Sequence, residues 1–114
     1  MDRRKELKEK YRLMKPAMGV FCIHSDKTNM NYLEGATNLP AAINRTVFQL
    51  NFGSHPNQRL QKDWSNWGES SFTVTLLDEL PYSEDGTLKE YKEEVLELKN
   101  IWAEKLKHDG QDLY

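Results

Sequence analysis

The 114-residue chain is 38% hydrophobic and 30% charged with a formal net charge of -2, the balance of one globular domain able to bury about two-thirds of its unfolded surface. No apolar run approaches the roughly 20 residues of a membrane helix, and the charged start Met1-Asp2-Arg3-Arg4 holds no apolar signal core, so a cytoplasmic location without a membrane partner is expected. The near-neutral charge gives no global pull on phosphates, so any nucleic-acid site must be local, and the single cysteine, Cys22, excludes an internal disulfide and a multi-thiolate metal centre.

Between Asp2 and Lys15, Leu7, Tyr11 and Met14 recur at steps of four and three, which predicts a charged helix with one narrow apolar stripe, ended by Pro16. Its many Lys and Arg read as a solvated face with supporting pairs such as Glu6 and Lys10. Residues 17–25 are apolar on both alternating faces and predict a buried strand that hides Cys22; a polar turn from Asp26 to Asn29 and a second strand from Met30 to Gly35 complete a hairpin. Asn38 suits an N-cap with Pro40 in the first turn, and Leu39, Ile43, Val47 and Leu50 form the inward face of a helix that Gly53 stops. After Ser54-His55-Pro56, a short helix carries Leu60, Trp64 and Trp67 inward, with Gln58, Arg59, Gln61 and Lys62 outward, and ends at Gly68. Phe72 to Glu79 alternates as a strand, residues 80–86 form a loop, and a long helix from Thr87 carries Leu88, Tyr91, Val95, Leu98, Ile101 or Trp102, and Leu106 inward until near Gly110. The order fits a single α+β domain, residues 1–114, with an N-terminal helical extension (1–16), a core (17–108) and a tail (109–114).

Gly19-Val20-Phe21, then Tyr32-Leu33-Glu34-Gly35, Asn38-Leu39, Gly53 with His55, Leu60 through Trp64, and the strand from Phe72 stand in an order and spacing that resemble the GIY-YIG nuclease domain over about residues 18–106. The resemblance implies a small three-stranded antiparallel sheet flanked by helices, and an endonuclease that cleaves phosphodiesters with a divalent metal. It also implies that several reactive positions are replaced here. Phe21 stands where the family has a tyrosine whose hydroxyl lies in the active site, Ala42 where an arginine sits, and Lys99, aligned on Trp102, where one glutamate binds the metal. The second motif keeps Tyr32 and loses its glycine, which a one-residue bulge would recover from Gly35. What remains as a catalytic set is Tyr32, His55 and Arg45, the last about one turn from Ala42. No metal ligand stands at the family position, and Glu94 and Glu97 are the substitute carboxylates on the same helix. A lysine in place of a carboxylate sets like charge against a hard cation that needs oxygen ligands, so no cofactor is expected unless a rebuilt site uses Mg²⁺ or Mn²⁺.

Read without the resemblance, Tyr32 in an apolar strand and His55 in a turn are structural, His24 is a polar strand end, and His108 is a cation near a helix C-terminus. Arg45, Arg59 and Lys62 with Trp67 are the local candidates for DNA or RNA, where each stacked base adds about 1–3 kcal/mol; Trp64 and Trp102 belong to the core. The expectation is a nuclease-like domain, impaired or inactive in catalysis, that binds nucleic acid or a protein partner. Its alternatives are an active, divergent metal-dependent endonuclease using Arg45 and a relocated carboxylate, and a small assembly module docking through the Leu7, Tyr11, Met14 stripe.

Overall fold

The computed structural model describes residues 15–114, so the helix and apolar stripe expected from Asp2 to Met14 lie outside the described residues. The elements are β1 (Met18–Ser25), β2 (Asn31–Ala36), α1 (Leu39–Phe52), α2 (Gln58–Trp67), a 3₁₀ turn (Glu69–Ser71), β3 (Phe72–Leu80) and α3 (Leu88–His108). They form an α+β domain on a three-stranded antiparallel sheet in the order β2-β1-β3. β1 is central because it is apolar on both faces. Phe21 and Ile23 pack under α1 and α2 with Leu39, Leu50, Leu60 and Trp64, while Val20 and Cys22 pack with Leu33 under Leu98, Trp102 and Leu106 of α3. Burial pushes the Cys22 thiol up to about 11, consistent with an inert packing residue.

Local chemistry sets the helix ends. The Asn38 side chain accepts the Ala41 N–H, Asn57 accepts that of Leu60, and Thr87 with Glu90 closes a capping box at the start of α3. Two glycines are required by close backbone approach. A Cβ at Gly35 would lie 2.6 Å from the Val95 carbonyl oxygen, where α3 crosses β2, and one at Gly19 would collide with the Asp78 carbonyl oxygen of β3.

The pairing of β1 with β2 is unbroken from Gly19–Ala36 to His24–Asn31, so β2 carries no bulge to shift Gly35 back by a place. The register shift lies instead between Val20 and Phe21 against β3, where Leu77 is the extra residue. The buried line of α1 is Leu39, Ala42, Thr46 and Leu50, with Ile43 and Val47 half-buried beside it, because the small Ala42 and Thr46 let the helix lie close on the sheet. β3 is an edge strand: Phe72 is buried, but Val74 and Leu76 are exposed, so its apolar alternation contributes less packing than its sequence suggests. On α3, Leu88 and Ile101 are exposed, and Trp102 is the inward residue, its indole N–H donating to Asp78. Gln61 faces inward as well, and residues 109–114 are docked: Leu113 bridges to Asn31, the Tyr114 N–H donates to the Asn31 carbonyl, and the Tyr114 hydroxyl donates to Asp63. No helix among the described residues is long and apolar enough to cross a membrane.

Candidate functional site

The period of two along β2 puts Tyr32 and Glu34 on the face that lies under α1, directly across from Ile23 and Phe21. The helical period of α1 brings Arg45 and Thr46 over the same spot, and the segment between α1 and α2 delivers His55. The centre of the cluster is the Glu34 carboxylate. The Tyr32 hydroxyl donates to one of its oxygens at 3.0 Å, the Thr46 hydroxyl donates to the other at 3.4 Å, and an Arg45 guanidinium nitrogen lies 3.6 Å from that second oxygen. His55 meets the Tyr32 ring edge-on with ring centroids 5.2 Å apart. Tyr32, Arg45 and His55 are therefore gathered at one place, with Glu34 as the group that joins them.

His55 is buried and held from both sides: its backbone N–H donates to the Gln61 side chain, and its Nδ1 accepts the Asn57 N–H at 3.1 Å. An N–H aimed at Nδ1 places the ring proton on Nε2 and favours the neutral imidazole. Burial lowers its pKa, and the nearby Glu34 charge pulls partly the other way. For Tyr32, burial first and then the Glu34 charge and hydrogen bond raise the pKa well above the usual phenol value, against a smaller opposing effect of Arg45. The phenol thus stays protonated and serves as a donor to Glu34.

The replaced positions have clear surroundings. Ala42 is buried in the α1 core cluster with Phe21 and presents only a methyl group. Phe21 is fully buried and lies directly opposite Glu34. Lys99 lines a cavity of about 400 Å³ together with Tyr32, Asn57, Glu104, Lys107 and Tyr114, so the lysine that the sequence resemblance sets at a metal-binding position shares a cavity with Tyr32. A divalent ion does not fit these residues. Glu34 is already committed to Tyr32, Thr46 and Arg45, the cavity beside Tyr32 holds two lysines against one glutamate, and the described residues contain no group of three His, Cys, Asp or Glu able to hold a metal. Glu94 and Glu97 are exposed, and neither lines that cavity.

A second cavity of about 410 Å³ opens at the other end of β2, lined by Gly35, Asn38, Ala42, Arg45 and Lys92 among others. Arg59 and Lys62 are exposed on α2 and line neither cavity; Trp67 stands 41% exposed at the end of the same helix, also outside both. Among the residues of the two regions that were not singled out from sequence are Glu34 and, on the helices, Thr46, Lys92 and Lys107. Glu34 had a legible signal, since an acid two places from Tyr32 in a strand must share its face. The others depend on which side of a helix faces the sheet.

No protein-family model matches the chain, and no curated protein matches it significantly. Solved structures do. A point mutant of the catalytic domain of the intron endonuclease I-TevI superposes with a TM-score of 0.66 at 23% identity, covering 84% of this chain and 90% of that one. The catalytic domain of the homing endonuclease I-TevI superposes with a TM-score of 0.64 at 24% identity, covering 83% of this chain and 94% of that one. At this identity the likeness establishes the fold, which is GIY-YIG-like, and agrees with the sheet, strand order and helices described above.

Proposed function

We propose that the chain is a GIY-YIG-like domain that binds nucleic acid and does not cleave it. The observation that carries this reading is the occupied clamp: the Tyr32 hydroxyl and the Arg45 guanidinium, the donors expected to face a phosphate, both face the protein's own Glu34 carboxylate. Phosphodiester hydrolysis needs preorganised positive charge where negative charge builds up, and losing one such donor typically slows a reaction about a hundred- to a thousandfold. Here Ala42 is buried and apolar, and Lys99, which the sequence resemblance aligns with a metal-binding carboxylate, lines the cavity with Tyr32. Binding needs less than catalysis. A lysine beside a cavity still attracts phosphate as a point charge.

The reading is tested by incubating the purified chain with labelled single-stranded and duplex oligonucleotides, in EDTA and in Mg²⁺, and following both anisotropy and strand length. The expected result is binding in both conditions with intact strands. Mg²⁺-dependent cleavage that disappears in Tyr32→Phe would overturn it.

One observation favours a second reading. Tyr32, Arg45 and His55 converge around a carboxylate, and in an active, divergent endonuclease Glu34 would be the relocated acid. In that case Glu34→Gln abolishes cleavage, whereas Glu94→Ala and Glu97→Ala leave it unchanged.

A further inference from the structure

The two cavities lie at opposite ends of β2, and one side of α3 lines both of them. Lys92 faces the cavity at the Gly35 end, and Lys99 and Lys107 face the one at the Tyr32 end. At about 100° per residue these three lysines fall within about an 80° arc of the helix, and Lys92 to Lys107 spans about 22 Å along it. The acidic residues Glu94 and Glu97 sit about 200° and 140° around from Lys92 and are exposed on the far side. No carboxylate among the described residues pairs with Lys92, Lys99 or Lys107, while Arg45 stands across the first cavity on α1. A protein of net charge -2 therefore gathers unpaired cations into a row beside the outer edge of its sheet. Tyr32 and Tyr114 line the cavity that Lys99 and Lys107 also line.

We infer that this trough between β2 and α3 binds one strand of nucleic acid, with Lys92, Lys99 and Lys107 on successive parts of the backbone and the two tyrosines available to the bases, and that it does so without a divalent metal. The inference rests on the nucleic-acid-binding reading above and moves the interface away from Arg59, Lys62 and Trp67 on α2. Lys99 then has a definite role. An ammonium on a residue that shares the cavity with Tyr32 supplies positive charge that a bound cation would otherwise bring to a phosphate, which is why metal is not needed. Unpaired lysines in a row match the periodic charge of a nucleic-acid backbone, and aromatic rings beside such a row suit unstacked bases better than a closed duplex. Glu104 lines the same cavity and tempers the field there.

The experiment measures the affinity of the full chain for a fluorescein-labelled oligothymidylate of about 15 nucleotides, within the usual range of single-strand sites, in EDTA over a series of salt concentrations. Lys99→Glu/Lys107→Glu is expected to weaken binding about tenfold or more and to reduce the slope of log affinity on log salt by about 1.4, at about 0.7 per phosphate contact; Lys92→Glu is expected to reduce it by about 0.7. Lys27→Glu, the same charge change as Lys92→Glu but at an exposed residue of the turn between β1 and β2 that lines neither cavity, is expected to weaken binding less than Lys92→Glu does. Should Lys99→Glu fail to fold, Lys99→Gln reads the same contact. Three results would overturn the inference while leaving nucleic-acid binding intact: equal losses in Lys27→Glu and the α3 variants, loss confined to Arg59→Glu/Lys62→Glu, or equal affinity for a duplex of the same length. A wild-type chain that binds no oligonucleotide would overturn the underlying reading as well.

Discussion

Glu34 governs the chemistry of the cluster because a half-buried carboxylate there satisfies two hydroxyls and opposes one guanidinium. Glu34→Leu leaves the hydroxyls of Tyr32 and Thr46 without their acceptor, and unpaired buried polar groups cost about 1–3 kcal/mol; urea denaturation is expected to show a loss of that size. Glu34→Gln keeps acceptor oxygen while removing the charge, so it is expected to be milder and to bring the Tyr32 pKa part of the way back towards the ordinary phenol value, read from a ¹³C-tyrosine pH titration. The part that remains comes from burial, the larger cause. Two buried groups also set a pH window for stability. Burial holds His55 below its usual 6.5, so the stability it contributes is complete above that value and is lost as pH falls through the lowered native pKa. Cys22 runs the other way: its thiol moves from 9.0 to about 11, so its contribution is complete below 9 and is lost as pH rises towards 11. Two pKa units correspond to roughly 2–3 kcal/mol. The loss of stability between pH 8 and pH 11 is expected to be smaller by about that amount in Cys22→Ala, the remainder including the raised hydroxyls of Tyr32 and Tyr114.

At the level of elements, the docking of α3 onto β2 positions both cavities, and Gly35 is what allows it. Gly35→Ala places a Cβ 2.6 Å from the Val95 carbonyl oxygen and forces the helix outward, an overpacking cost of about 1–3 kcal/mol. Faster amide hydrogen exchange along α3 is expected, with β1 less affected. The contrast between β3 and the core is equally testable. Leu76 is 58% exposed and Leu60 is fully buried, so Leu76→Thr should change stability by no more than about 0.5 kcal/mol while Leu60→Ala costs about 2–5 kcal/mol. Sequence patterning made these elements legible because their periods are strong: the doubly apolar β1, the Asn38 cap, the start of α3 at Thr87, and the Tyr91 and Val95 stripe all fall where expected. It placed the β3 strand too, but left its exposed face unread, because alternation shows that a strand has an apolar face and not whether anything covers it. It misplaced Gln61 for a related reason, since a polar side chain that caps a neighbouring backbone looks solvent-facing until its partners, the His55 N–H and the Leu50 carbonyl, are placed.

For the whole molecule, the fold is GIY-YIG-like, and on the reading proposed above the groups around the Tyr32 cluster serve binding rather than cleavage. The scaffold was readable from ordered glycines, caps and strand pairs because these serve packing, and packing follows from the fold rather than from the activity it carries. The site was readable only in part. Tyr32, His55 and Arg45 could be named from sequence, but their shared partner is an acid from the same strand as Tyr32, and the lysine row appears only once α3 is laid against the sheet. Charge at this scale is local: a chain with 18 acidic and 16 basic residues still concentrates cations beside β2. The central proposal is that the Tyr32 cluster works without divalent-metal chemistry. Its most direct test is a Mn²⁺ titration of the isotope-labelled protein followed by NMR line broadening. Broadening confined to exposed carboxylates such as Glu94 and Glu97, with Tyr32, Glu34 and His55 unaffected, is the expected result. Broadening focused on Tyr32, Glu34 and His55 at substoichiometric Mn²⁺ would contradict it and restore a metal-dependent nuclease.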